Sequence, residues 1–264
     1  MSSSRLGHRL GVLLGPLAAG WLACWLLPGL LLGRPTALLD GSAPAAWKHA
    51  YVALLYLVLL GATARAWRAE GPSCPAPGLP RPSDVLVGAA AGGAGALLHR
   101  ALLAAGGWWT PPELGGWKVL EVLFVAPLLA LAEELLFRGY LFGVLREELG
   151  RPRAYLLANL VFAGAHLLRP GDGAFKLAYG LGLLLVGATL CRLVEASGRL
   201  GPAVGLHAGW IALVVLDPPG RVTPGWLPGL AGDPSAGVVG WLLLLGFLAG
   251  AGPLGRALAG KGSA

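Results

Sequence analysis

Residues 131–145 read LAEELLFRGYLFGVL and place Glu133, Glu134 and Arg138 among apolar side chains. This stretch ends one of several apolar segments that are long enough to cross a bilayer as a helix, which takes about 20 residues. The predicted spans are residues 10–32, 46–66, 84–104, 117–145, 154–169, 174–195, 201–216 and 236–256. The fifth and seventh are short, so a count of seven stays open beside eight. We therefore expect an all-α fold, a polytopic transmembrane bundle of about eight helices.

The composition of the 264-residue chain agrees with this fold class. Hydrophobic residues make up 56% of the chain and charged residues 12%, which excludes an ordinary water-soluble domain. The apolar segments fill the length, so one integral membrane domain is expected over 1–264. The net charge of +7 is scattered between the segments, so we expect the lipid bilayer as a partner and no nucleic acid.

The distribution of Lys and Arg predicts the orientation, because cytoplasmic loops carry the excess. With the N-terminus inside, twelve of the twenty fall on the inner side, seven on the outer side and Arg138 within a span. This predicts an N-in and C-in protein, and the Ala, Gly, Leu and Arg usage indicates a bacterial inner (cytoplasmic) membrane. The apolar stretch 10–32 is too long for a signal peptide and is interpreted as the first span.

Several other features have structural interpretations. The segment 69–83, AEGPSCPAPGLPRPS, is too rich in Pro and Gly for a helix and is predicted to be a cytoplasmic linker. Small residues over 88–98 are expected to let helix backbones approach closely. Four tryptophans are expected at the membrane interface: Trp108, Trp109, Trp117 and Trp226. Three histidines near span ends are expected to be solvated or interfacial: His8, His49 and His99.

The ionisable side chains of 131–145 need partners, because such a residue at a span centre costs roughly 2.5–3.5 kcal/mol. Glu134 and Arg138 are four residues apart on one helical face, so they are predicted to pair. Glu133 is rotated by about 100° from Glu134 and needs another partner. The candidates are His166, in VFAGAHLL, and His207, in VGLHAGWIAL. A carboxylate beside an imidazole in a desolvated cavity can hold and deprotonate a water.

A helix rises 1.5 Å per residue, so the sequence predicts the depth of each of these residues in the membrane. Measured from the nearest inner arginine, Glu133 and His166 lie about 20 Å up and His207 about 12 Å up. The three can therefore share a layer. Because His166 also lies one turn before Arg169, a position nearer the outer surface is the alternative.

The order of these motifs resembles the CAAX-protease and bacteriocin-processing (CPBP) family. The matching features are E-E-x-x-x-R at 133–138, F-x-x-x-H at 162–166 and a third-motif His207, within a core of about 120–216. The resemblance implies an intramembrane endopeptidase whose Glu and His activate water. It implies that Glu133 is the general base, that His166 positions the water and that His207 donates to the oxyanion. The supporting residues would be Phe162, Glu134 and Arg138.

Two points of the mechanism do not follow directly from the resemblance, namely the second oxyanion donor and the dependence on a metal ion. The family usually has Asn or Asp four residues after the third-motif His, where this chain has Ile211. We expect His207 to work with another donor, and the alternatives are a modified mechanism or lost activity.

The second point is the dependence on a metal ion. Glu133, His166 and His207 could form a His₂Glu zinc set, but the zinc motif H-E-x-x-H is lacking. A metal-independent glutamic mechanism without a cofactor is therefore favoured, with zinc as the alternative.

Three classes of function fit these residues. The first is an endopeptidase acting on a membrane-anchored protein or peptide, for example on C-terminal sorting signals as in the myxosortases, which resemble this chain in type. The second is a non-catalytic membrane scaffold or bacteriocin-immunity protein that uses the polar cluster to lock helices. The third is a proton-coupled transporter, whose paired broken helices in two matching halves are not evident.

Overall fold

A computed structural model describes most of the chain. The described residues are 3–31, 33, 44–71, 77–112, 115–167, 171–216 and 221–260. Cys74 and Arg169 lie outside these ranges, as does the side chain of Trp117. The chain divides into two compact units, Met1–Pro75 and Ala76–Ala264, and each is described by itself.

The first unit is a pair of packed helices, α1 (Ser3–Leu31) and α2 (Ala45–Glu70). Gly20 of α1 lies against the side chain of Val58, so the two backbones approach closely there. Nε of Arg9 donates to Oε1 of Glu70 over 2.8 Å in a largely buried ion pair. His8 and His49 are exposed, as expected.

The second unit contains the remaining helices. They are α3 (Pro82–Ala105), α4 (Gly116–Glu134), α5 (Phe142–Leu149), α6 (Arg151–His166), α7 (Gly173–Ser197), α8 (Gly201–Leu216) and α9 (Val238–Gly260). A π-helical segment, Leu135–Leu141, joins α4 to α5 without a break. Over the described ranges the two units hold eight helical runs, one for each predicted span, and no strand. The all-α fold class is therefore confirmed.

Four of these helices are long and apolar enough to cross a membrane. They are His49–Glu70 within α2, then α3, α7 and α9. α6 and α8 have 16 residues each, about 24 Å, which is less than a hydrocarbon core of about 30 Å. The predicted shortness of these two is thus confirmed, whereas the crossing of the bilayer by all eight runs stays a prediction.

Glycines bring α3 and α8 into direct backbone contact. A Cβ atom at Gly88 or Gly92 of α3 would collide with backbone of Pro202 or Leu206 in α8. The same holds in reverse at Gly205, which faces backbone of α3. The expectation that the small residues of 88–98 serve helix packing is confirmed.

His99 shows where the expectation for span ends was wrong. Its side chain is fully buried, with the ring edge-on to Trp210 of α8 at 6.1 Å between centroids. His99 follows Gly95 by four residues and Gly92 by seven, so it lies on the packed face of α3. Helical position, rather than distance from the span end, determines its burial.

The connection between α2 and α3 is shorter than predicted. α2 continues to Glu70 and α3 begins at Pro82, so two residues at each end of the predicted linker 69–83 are helical. Proline suits the first turn of a helix, where its missing N–H is not needed. Residues 77–81 are non-helical as expected, and 72–76 lie outside the described part.

The connection between α8 and α9 folds back onto the second unit. It contains two 3₁₀ turns, Leu230–Gly232 and Pro234–Ala236. The carboxylate of Asp233 accepts a hydrogen bond from the backbone N–H of Ser235. The Ser235 carbonyl lies where a side chain at Gly182 of α7 would be, so this connection packs directly against α7.

Candidate active site

The acidic pair lies at the junction of α4 and the π-helical segment. Glu133 and Glu134 are the last residues of α4, and Arg138 follows within the π-helical turns. Glu134 and Arg138 are 0% and 1% exposed, and Glu133 is 8% exposed. π-helical turns inside longer helices occur frequently at functional sites. All three side chains are therefore held in the interior of the second unit.

Glu134 is the centre of a buried polar chain that links α4 to α8. Its Oε1 accepts a hydrogen bond from Arg138 over 2.8 Å, so the predicted pair is present. The same oxygen lies 2.9 Å from Nδ1 of His207. Because a carboxylate can only accept, the Nδ1 atom must carry the proton. His207 is thereby fixed with Nε2 turned away from Glu134.

Glu133 faces both candidate histidines. Its Oε2 lies 3.5 Å from Nε2 of His166 and 3.8 Å from Nε2 of His207. The helices α4, α6 and α8 thus bring together the three residues that the sequence predicted to share a layer. His166 is the last residue of α6, yet its ring reaches the same carboxylate as His207.

Phe162 orients two of the polar side chains. Its backbone carbonyl accepts a hydrogen bond of 2.8 Å from Nδ1 of His166, which turns Nε2 toward Glu133. Its ring stacks at a tilt on the His166 ring, with centroids 4.6 Å apart. The Arg138 guanidinium lies 4.3 Å from the centroid of the Phe162 ring, within range of a cation–π interaction.

Asn159 is a buried polar residue that the sequence analysis missed. It lies on α6, seven residues before His166 and therefore near the same helical face. The absence of a side chain at Gly187 of α7 leaves room for both Asn159 and Arg138, since a Cβ there would lie 3.3 Å from Nη2 of Arg138. An amide within a span was the available signal, because such groups seek partners inside a bundle.

The three candidate catalytic residues border a cavity of about 190 Å³. The remaining lining residues are Leu129, Phe162, Tyr179, Leu183, Val186, Trp210, Ile211, Asp233 and Ser235. Ile211 thus lies at the cavity, as its place in the third motif implies. Asp233 and Ser235 come from the connection after α8, and no spacing in the sequence tied them to the motifs.

The position of the proton on His166 determines whether a water can bind between His166 and Glu133. With the proton of neutral His166 on Nδ1, its Nε2 presents a lone pair to the Glu133 carboxylate. Two acceptors 3.5 Å apart do not stabilise each other directly. A water about 2.8 Å from both atoms can donate one O–H to each and keep its own lone pair for attack.

A metal ion is the alternative to a water that is held by side chains alone. In the part of the chain that the structure describes, no group of three or more His, Cys, Asp and Glu side chains is arranged to hold one. We therefore derive no catalytic step through a metal.

The segment that carries this site matches a known protein family. Residues 115–213 match the family described as type II CAAX prenyl endopeptidase Rce1-like. The match extends from the start of α4 into α8 and includes Phe162 and the five ionisable site residues. No curated protein and no solved structure gives a match.

Proposed function

We propose that this chain, whose residues 115–213 match the Rce1-like type II CAAX endopeptidase family, hydrolyses a membrane-associated protein with a water activated by Glu133. The observation that carries the proposal is the position of the Glu133 carboxylate, which lies beside His166 and His207 at a cavity inside a helical unit. No nucleophilic Ser, Thr or Cys is needed for hydrolysis by this route.

The first step is attack by water on the scissile carbonyl carbon. Glu133 takes one proton from the water while His166 Nε2 holds the second O–H, so the oxygen lone pair is directed at the substrate. Apolar neighbours such as Leu129 and Val186 keep bulk water away, which strengthens these interactions.

The second step is the collapse of the tetrahedral intermediate. His207, as an imidazolium with Nδ1 on Glu134, donates Nε2–H to the oxyanion. The C–N bond then breaks, and Glu133 returns its proton to the leaving amine. The second proton of the water passes through His166 Nε2 to the same nitrogen, so the products are a new C-terminal carboxylate and a new N-terminal ammonium group, and the site returns to its starting state.

Glu134 and Arg138 act by holding this arrangement. Arg138 compensates the Glu134 charge in the buried interior, and Glu134 fixes the orientation of His207. Neither side chain appears among the residues that line the cavity. We therefore assign them positioning roles, in agreement with the supporting roles implied by the sequence.

We propose a membrane-anchored protein or peptide as substrate, processed at a C-terminal sorting signal in a bacterial inner membrane. A cavity of about 190 Å³ admits only a short extended segment, which favours a tail over a folded domain. Such a segment, held in the bilayer by an apolar stretch, reaches the cavity by lateral diffusion.

The test is mass spectrometry of membrane-protein termini from cells that carry wild-type protein or Glu133→Gln. We expect new termini in the wild type that disappear in the variant, since loss of a general base costs about 10²–10⁴ in rate. Glu147→Gln, on the exposed surface of α5, removes the same charge outside the cavity and serves as control. Identical termini in a folded Glu133→Gln protein would contradict the peptidase and favour a scaffold.

Whether cleavage requires zinc is tested by a separate measurement. Purified protein that is shown by elemental analysis to lack zinc is expected to cleave its substrate at the same rate as untreated protein. Loss of activity on chelation and recovery with zinc would replace the glutamic mechanism with a zinc site on Glu133, His166 and His207.

A further inference from the structure

A second cavity, of about 1010 Å³, lies at one end of the second unit and shares no lining residue with the active site. Four arginines line it, one from each of four helices. Arg146 lies in the last turn of α5 and Arg151 begins α6. Arg192 and Arg256 lie near the C-terminal ends of α7 and α9.

The positive charge of this cavity is only partly compensated. Glu195 is the single acidic side chain among the described lining residues. It lies 3.0 Å from Nη2 of Arg151 and 4.0 Å from Nη1 of Arg146, and it accepts a hydrogen bond of 2.7 Å from Tyr155. One carboxylate therefore serves two of the four guanidinium groups.

The other two arginines converge on one point. A Cβ atom at Gly252 of α9 would lie 3.0 Å from Nε of Arg192 and 3.3 Å from Nη1 of Arg256. Neither arginine forms an ion pair with a residue that the structure describes. Two like charges brought together without a carboxylate favour the binding of an anion between them.

The charged cavity borders an apolar surface of α9. Leu248 lines the cavity, and Leu245 lies three residues earlier on the same face of α9 with 48% of its side chain exposed. The cavity therefore continues from guanidinium groups into an apolar helix surface. The Lys and Arg distribution predicts that this end of the bundle is cytoplasmic, where anionic lipids are recognised by basic pockets between helices.

We propose that this cavity binds the phosphate of an anionic phospholipid, held by Arg192 and Arg256, with an acyl chain along Leu248 and Leu245. Arginine forms paired hydrogen bonds with phosphate oxygens, and the apolar surface distinguishes a lipid from free phosphate. The proposal does not depend on the peptidase activity, because none of these residues lines the catalytic cavity.

The experiment is native mass spectrometry of the delipidated full-length protein with dioleoyl phosphatidylglycerol or dioleoyl phosphatidylcholine. We expect the wild type to prefer phosphatidylglycerol, and Arg192→Gln with Arg256→Gln to weaken its binding about thirty-fold. The matched control is Arg81→Gln with Arg153→Gln, which removes the same charge from two exposed arginines outside the cavity. The double Lys variant, R192K with R256K, should bind more tightly than the Gln pair and less tightly than the wild type, because it keeps the charge and loses the paired hydrogen bonds.

Each contrary result identifies a different error. Equal binding of the two lipids by the wild type, or equal losses in the Gln pair and the control pair, overturns the site. If inorganic phosphate binds as tightly as phosphatidylglycerol, the bound phosphate need not belong to a lipid, and the proposal of a lipid site is wrong. The melting temperature of each variant is measured in parallel, and binding by the Lys pair above the level of the Gln pair shows that the Gln pair has lost an effect of charge.

Discussion

Glu133 and Glu134 are adjacent in the chain but have different surroundings. Glu134 is fully buried between Arg138 and His207, so its charge is compensated. Glu133 lies at the cavity with two imidazole nitrogens near its Oε2. The rotation of about 100° between neighbouring helical residues produces this difference, with one carboxylate at the cavity and the other held in the interior.

Arg138→Gln is expected to destabilise the protein by about 3–5 kcal/mol, because it leaves the buried Glu134 carboxylate without its guanidinium partner. The free energy of unfolding in detergent micelles measures this loss. Arg146→Gln is the control, since its side chain is 48% exposed and such substitutions usually change stability by less than about 0.5 kcal/mol. Similar losses in both variants would show that the Glu134–Arg138 pair has no special role.

Ser235→Ala is expected to lower kcat about 10²-fold, which is typical of the loss of one oxyanion donor. Ile211 provides no donor, whereas the Ser235 hydroxyl accepts from Nε1 of Trp210 over 3.5 Å and retains its own O–H for the cavity. Steady-state kinetics of the purified enzyme should show the change in kcat at similar KM. Tyr179→Phe removes the other hydroxyl at the cavity, and a loss there instead would assign the second donor to Tyr179.

At the scale of elements, the contact between α3 and α8 positions the site. α8 carries His207, and it packs against both α3 and α4. Gly92 and Gly205 let the α3 and α8 backbones meet, which fixes α8 at a distance where His207 reaches Glu134. Small residues serve this purpose in membranes, where the hydrophobic effect does not drive helices together.

Gly92→Ala is expected to destabilise the protein by about 1–3 kcal/mol and to reduce activity, because the new methyl group would collide with the Leu206 carbonyl. Gly93→Ala is the matched control, since a Cβ atom there meets no atom within 4 Å. Alanine is also the better helix former, so the control should be neutral or slightly stabilising. Thermal unfolding and cleavage assays on both variants check this, and equal behaviour would contradict the proposed role of the contact.

The sequence predicted the helical runs and the buried charged residues, but not the π-helical segment or the cavity residues of the α8–α9 connection. Apolar length alone identified all eight helical runs, and the cost of charge in a bilayer identified the residues Glu133, Glu134 and Arg138. The π-helical segment was not predicted, because no residue pattern in Leu135–Leu141 distinguishes it from α-helix. Asp233 and Ser235 were missed because their place at the cavity depends on how a connection folds back against α7.

The whole second unit has chemically different ends. Arg146, Arg192 and Arg256 lie at one end. Trp226 and the connection after α8 lie at the other, and Trp226 is 56% exposed. Through Asp233 and Ser235, that connection reaches the cavity that Glu133 borders. The orientation of the chain therefore determines on which side of the membrane the α8–α9 connection lies. A substrate tail would approach the cavity from that side.

The orientation can be tested by labelling single cysteines with a membrane-impermeant maleimide in a background without Cys24, Cys74 and Cys191. Thr223→Cys, in the connection after α8, should react in intact spheroplasts, whereas Arg153→Cys, at the start of α6, should react only after permeabilisation. The excess of Arg and Lys on the side of Arg153 is the physical reason. The opposite pattern would reverse the orientation, placing the α8–α9 connection in the cytoplasm and leaving a cytoplasmic tail as the accessible substrate. Labelling as expected would instead favour a substrate whose C-terminal signal has already reached the outer surface.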